Sequence, residues 1–165
     1  MSFSALRARK GFTLIELLLV IGIIAILASI VIVAINPTKQ LADARNAQRR
    51  ADVNTILNAI YQYSIDNSGN LPGNLSGSTL TAGNVYKICK SSIAGTCHPT
   101  PATEYSTFGM FAKHLTGSYI VKMPQDPKVA TSSGYTGYLV SKNASSRITV
   151  SADKPENGAT ISVTR

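Results

Sequence analysis

From Leu17 to Ile35 the chain runs for 19 residues without a charge. Counted from Phe12, the apolar segment reaches 24 residues, and Glu16 is its only ionisable side chain. At about 1.5 Å rise per residue, such a helix spans roughly 30 Å, the hydrocarbon thickness of a bilayer. The run is longer than the roughly 7–15 apolar residues of an ordinary secretory signal. The stretch ASIVIVAINP that closes it offers only a weak small-residue cleavage site. The segment is therefore expected to remain on the mature protein. Arg7, Arg9 and Lys10 precede it, so the positive-inside rule places the N-terminus in the cytoplasm and everything after Ile35 outside. Glu16 is the anomaly. A carboxylate costs on the order of 2.5–3.5 kcal/mol at the centre of a membrane helix, and less near an interface. It can sit at headgroup level near the cytoplasmic end. Alternatively it needs a positive partner: Lys10 or Arg9 in its own chain, or an α-amino group created by cleavage in a neighbouring chain.

The residues around that acid carry a resemblance. KGFTLIELL, Lys10 to Leu18, is similar to the prepilin signal of type IV pilins and type II secretion pseudopilins. That signal is a short basic leader, a Gly, a Phe, then Thr-Leu-Ile-Glu and about 20 apolar residues. The resemblance implies cleavage by prepilin peptidase between Gly11 and Phe12, and N-methylation of Phe12 by the same enzyme. It implies that Glu16 pairs with the Phe12 amine of a neighbouring subunit during assembly. Opposite charges attract strongly in a low-dielectric helix bundle, and an unpaired one there is expensive, so an incoming subunit that satisfies Glu16 is favoured in register. Many family members carry a Pro inside the apolar helix about ten residues beyond Gly22. Val33 stands near that place here, and the first Pro is Pro37. Ala25 and Ser29 offer a small-xxx-small spacing for close helix packing.

Beyond Ile35, Asn36-Pro37 either interrupts the helix or opens a new helical segment. Val53, Ile56, Leu57 and Ile60 then recur at amphipathic helical spacing, and Leu41, Ala44 and Ala47 extend that periodicity upstream. DNSGN, from Asp66, supplies the stop. If continuous from Phe12 to about Ile65, the helix is roughly 80 Å long. VYKIC, Val85 to Cys89, reads as a strand. Phe108, Phe111, Ala112 and Leu115 stand at the spacing of a short helix. Tyr138 to Lys142, Ile148 to Ser151 and Ile161 to Val163 read as an antiparallel meander. Met123-Pro124-x-Asp126-Pro127 resembles a turn found before the sheet in major pseudopilins and related pilins. The implied architecture is α+β and pilin-like. A long N-terminal helix, its first half transmembrane, packs against a small C-terminal antiparallel sheet. The expected divisions are a leader at 1–11, a transmembrane and filament-core helix at 12–36, an amphipathic half at 37–66 and a globular head at 67–165.

The formal net charge is +8. Removing Arg7, Arg9 and Lys10 from the 16 Lys+Arg leaves 13 against 8 Asp+Glu. That excess is spread along the chain and lacks the dense basic face of a dedicated DNA-binding domain. The local cluster Arg45, Arg49 and Arg50 is expected to be solvated, or to pair with Asp43 and Asp52 in this chain or a neighbour. Contact with DNA or anionic lipid is the alternative. Cys89 and Cys97 are the two cysteines, on the far side of the membrane segment. An oxidised pair is favoured over two buried thiols. A metal site with the adjacent His98 lacks the common zinc spacing. His98 and His114 have no local acid or nucleophile that makes a catalytic set. No glycine-rich phosphate loop is present, and neither enzymatic activity nor a cofactor is expected. Some pseudopilins hold calcium in a C-terminal loop. Asp126, Asp153 and Glu156 are the candidates here, without the dense acidic cluster that six to eight oxygen ligands require. Asn74 and Asn143 match the short N-glycosylation pattern, which is common by chance.

The resemblance thus implies a structural subunit of a helical filament, with prepilin peptidase, an inner-membrane assembly platform, membrane lipid and other copies as partners. The Met-Pro-x-Asp-Pro turn leans to a periplasmic secretion pseudopilus. The cysteine loop and the lack of an acidic calcium loop lean to an extracellular type IV pilus, the reading favoured at this point. A minor or competence pilin that binds DNA is a further alternative, as is an ordinary single-pass anchor.

Overall fold

A computed structural model describes residues 11–72, 80–90, 106–108 and 111–165. The chain divides into two compact units, 1–40 and 41–165. In the first, helix α1 runs from Leu14 to Ile35, with no buried residue anywhere along it. Its 22 residues, about 33 Å at helical rise, are long and apolar enough to cross a membrane. Ser29 is the one hydroxyl in its interior, and it donates to the Ile26 carbonyl at 2.7 Å, leaving little unsatisfied polarity to place in lipid.

Both readings of Asn36-Pro37 are realised. Asn36 adopts a left-handed conformation, φ 42°, and ends α1. Helix α2, Pro37–Asp66, begins on the next residue. Pro37 fits there because a first-turn residue has no intrahelical use for an N–H. Asn36 also caps the new helix: its carbonyl accepts from the Lys39 amide at 3.1 Å and its side chain from Thr38 Oγ1 at 2.8 Å. The continuous helix of roughly 80 Å is therefore replaced by two separately capped ones.

The second unit is built around the inward face of α2. Val53, Ile56, Leu57 and Ile60 are all buried, as their spacing predicts. The upstream extension is out of phase. Leu41, Ala44 and Ala47 are exposed, and Ala42, Asn46 and Arg49 point inward instead. Hydrophobic periodicity cannot find this half of the face, because two of its three side chains are polar.

The sheet contains β1 (Val85–Cys89), β2 (Ser106–Phe108), β3 (Tyr135–Lys142), β4 (Ile148–Ala152) and β5 (Ser162–Thr164), in the order β2-β1-β3-β4-β5. The four strands β1, β3, β4 and β5 pair antiparallel, as expected of the meander. β2 adds a short parallel edge beside β1. Phe108 ends that strand, and the short helix α3 starts later, at Phe111, and ends at Leu115. The register Tyr86–Val140–Val150–Val163 carries one apolar row across four strands. This row packs with Ile56, Ile60, Leu115 and Tyr138 into a single core. Alternate residues of the same strands, such as Ser141, Thr149 and Thr164, lie on the opposite face, as the two-residue period of a strand requires. The observed fold is the α+β pilin-like arrangement implied by the sequence.

Candidate functional site

Among the described residues, two groups of side chains carry chemistry beyond packing. The first is the start of α1. Gly11 and Phe12 lie ahead of the helix and are exposed. Thr13 is the N-cap, with extended backbone at φ −80° and ψ 153°. Its Oγ1 accepts from the Glu16 amide at 3.3 Å, and the Glu16 carboxylate accepts from the Thr13 amide at 2.8 Å and from Thr13 Oγ1 at 2.7 Å. This reciprocal capping box satisfies amides that a helix start otherwise leaves unpaired. Glu16 thus has a local role that the sequence reading missed. The signal was legible: Thr-x-x-Glu directly before an apolar run is a helix-start pattern. The carboxylate is held at the helix start, three residues from the cap and four from Phe12, and among the described residues its hydrogen-bond partners belong to Thr13.

The second group lies between α2 and two loops of the head. Arg49 is fully buried. Its guanidinium grips Asp126, Nε to Oδ2 at 2.6 Å and Nη2 to Oδ1 at 2.9 Å. The remaining terminal nitrogen, Nη1, donates at 2.9 Å both to Asn46 Oδ1 and to Glu156 Oε2. Arg45 makes a second two-pronged contact with Glu156, both bonds at 2.6 Å. Lys128 adds a third cation to Glu156 at 3.0 Å, from a largely exposed position. Asn46 closes the group by bonding both backbone polar groups of Glu156, donating to its carbonyl at 2.8 Å and accepting from its amide at 3.0 Å. Planar guanidinium forks match carboxylates in this way, and a buried charge persists only with such partners.

The electrostatics follow from these contacts. Hydrogen bonding from Arg45, aided by Arg49 and Lys128, holds the Glu156 carboxyl well below the usual carboxylate range. The bond to Asp126 raises Arg49 above its already high ordinary value. Nearby, Tyr138 Oη donates to Asp52 at 2.6 Å, and burial together with that bond pushes the phenol up.

These positions correct several expectations. Arg45 and Arg49 are neither solvated nor paired with Asp43 and Asp52; they hold Asp126 and Glu156. Asp52 is instead taken by Tyr138 and Gln48, and Asp43 accepts from Asn157. With two of its three arginines neutralised, the cluster keeps only Arg50 as an exposed cation, which weakens the case for a nucleic-acid or lipid contact there. Of the calcium candidates, Asp126 and Glu156 do converge, but guanidinium groups occupy their oxygens. Asp153 lines the same neighbourhood, a cavity of about 440 Å³ bounded also by Lys128, Tyr135 and Lys154. Among the described residues no three acidic, histidine or cysteine side chains are arranged to hold a metal ion. His114 packs edge-on against Tyr63, with ring centroids 5.8 Å apart. Cys89 ends β1 and is fully buried. Cys97, His98 and Asn74 lie outside the described residues. Asn143 sits exposed in the β3–β4 turn, where its Oδ1 accepts from the Arg147 amide.

Nothing local in the sequence foretells the arginine cluster, since Arg49 stands 77 residues from Asp126 and 107 from Glu156. The Met-Pro-x-Asp-Pro turn marked one partner as unusual, though not for its charge.

The chain thus combines a capped apolar helix long enough to cross a membrane with a separate small helix-and-sheet unit. The family described as the prokaryotic N-terminal methylation motif matches residues 6–32. The chain is also 30% identical over 122 residues to a type II secretion system core protein G from Aeromonas hydrophila, covering 73% of this chain and 68% of that one. No solved structure matches it. The chain belongs to the type IV pilin and type II secretion pseudopilin family, whose members are structural subunits.

Proposed function

We propose that the chain is processed between Gly11 and Phe12, methylated on Phe12, and assembled into a helical filament whose core is made from the apolar helix. In this reading residues 1–11 are the leader, 12–36 the membrane and filament-core helix, 37–66 the amphipathic half and 67–165 the surface head. Before assembly the N-terminus faces the cytoplasm and α1 rests in the inner membrane. The partners are prepilin peptidase, an assembly platform in that membrane, lipid, and further copies or related subunits. The observation that carries the reading is the matched methylation motif joined to a helix that leaves its entire apolar surface exposed. A surface of that kind needs lipid or other helices around it.

Glu16 then has successive partners. Thr13 holds its carboxylate in the single chain, and the Phe12 amine of a neighbouring subunit takes it during assembly. Heterologous, head-to-tail contacts of this type do not close, and so give an open filament. Cys89 and Cys97 form a disulfide across the loop after β1.

The filament we favour is a secretion pseudopilus. The similarity to the Aeromonas core protein G supports it, because the aligned length extends well beyond the N-terminal motif. A type IV pilus is the second reading, favoured by the cysteine pair and by arginines where acidic calcium ligands would be needed. Cells carrying Glu16→Leu test the common part: the variant is expected in the membrane at normal level, cleaved, and absent from filaments. Normal filaments from that variant would defeat the proposal. Deleting the gene separates the two filaments. Loss of exported protein with surface fibres intact fits the pseudopilus, and the reverse fits the pilus.

A further inference from the structure

The one Asn-Gly step in the whole sequence, Asn157-Gly158, stands beside the arginine cluster. Both residues have positive φ, 55° and 65°, and the Ala159 amide donates to the Glu156 carbonyl at 3.1 Å. This is a tight turn of the type that favours Asn followed by Gly. Both residues are exposed, and nothing stands within 4 Å of where a Gly158 Cβ would be. The turn also ties the loop to α2. Asn157 Nδ2 donates to Asp43 Oδ1 at 2.8 Å, one residue past the Glu156 that Arg45 and Arg49 hold.

We propose that Asn157 is a site of spontaneous deamidation, and that this reaction loosens the C-terminal loop from α2 as the protein ages. The Gly158 backbone nitrogen loses its proton and bonds to Asn157 Cγ. The bond from Cγ to Nδ2 breaks, and Nδ2 leaves as ammonia with that proton. The resulting five-membered imide takes up one water at either carbonyl, giving Asp or iso-Asp at position 157. The sum is amide plus water to carboxylic acid plus ammonia, with no oxidant or reductant. An unhindered Gly supplies the attacking nitrogen, so no side chain blocks ring closure. Asn residues are among the thermally labile side chains of proteins.

The consequences follow from the neighbours. A carboxylate at 157 faces the Asp43 carboxylate, so a hydrogen bond becomes a repulsion between like charges. The iso-Asp product adds a backbone methylene and breaks the Glu156–Ala159 turn. Either change pulls on Glu156 and hence on its grip by Arg45.

The full-length protein in detergent micelles is held at mildly alkaline pH and followed by peptide mass and by ammonia release. Acid products at position 157 are expected to accumulate several-fold faster than at Asn143, which is also exposed but precedes Ala144. Conversion at 157 no faster than at Asn143 overturns the site. The structural consequence is read separately with Asn157→Asp, which is expected to melt at lower temperature than the parent. Adding Asp43→Asn to it is expected to restore the melting temperature by rebuilding the hydrogen bond in reverse. An Asn157→Asp protein that melts like the parent overturns the loosening.

Discussion

Arg49 has no exposed surface, yet it carries a full charge, so its worth is set by what surrounds it. Removing one member of a buried ion pair strands the other, at a cost of about 3–5 kcal/mol. Arg49→Met is therefore expected to lower the unfolding free energy of the purified protein by roughly that amount in urea titration. Replacing Asp126 by Asn in the same chain should recover part of it, since no isolated carboxylate then remains. Glu156 contributes differently. Its carboxyl is held below the ordinary range chiefly by hydrogen bonding from Arg45. Its contribution is therefore complete above the unfolded value of about 4.3 and declines as pH falls below that toward the folded value. Acid unfolding followed by near-ultraviolet circular dichroism should show this decline, and Glu156→Gln should flatten it. Gly137 serves the same cluster. It lies at φ 89°, and an added Cβ would collide with the Asp126 side chain, so even a methyl group there disturbs the acid that Arg49 holds.

At the scale of elements, legibility tracked chemistry. The second half of α2 announced itself because Val53, Ile56, Leu57 and Ile60 bury hydrocarbon at helical spacing, and strands β3 to β5 did so by alternation. Ile60→Ala should cost about 2–5 kcal/mol of unfolding free energy in denaturant titration, because the site is fully enclosed and cannot collapse freely. The first half of α2 misled, since Asn46 and Arg49 look like surface residues until partners from distant loops are placed beside them. Edge strand β2 was missed for a related reason: three residues carry too little pattern to distinguish a strand from the start of a helix. The methylation motif was legible, because Gly11, Phe12, Thr13 and Glu16 stand within one local stretch. What escaped there was that the same Glu16 caps its own helix.

For the molecule as a whole, the folded head satisfies its converging acids with its own cations. A divalent ion needs six to eight oxygens, and the carboxylates of Asp126 and Glu156 are already bound by arginine. Chelation with EDTA, or addition of calcium, is accordingly expected to leave the melting temperature unchanged. A drop on chelation would mean that a metal is held elsewhere in the chain. The head can then keep the Asp126 and Glu156 loops in place without a divalent ion.

The junction at Asn36-Pro37 bears on how disturbance travels. Helices form and melt cooperatively, each turn templating the next. Here the template is cut: Asn36 turns left-handed, Pro37 offers no amide, and each helix has its own cap. Unwinding that begins in the apolar segment stops at this joint, as a fire stops at cleared ground. In the proposed assembly, α1 would then exchange lipid for neighbouring helices while the α2 turns that carry Asn46, Arg49 and the core stay wound.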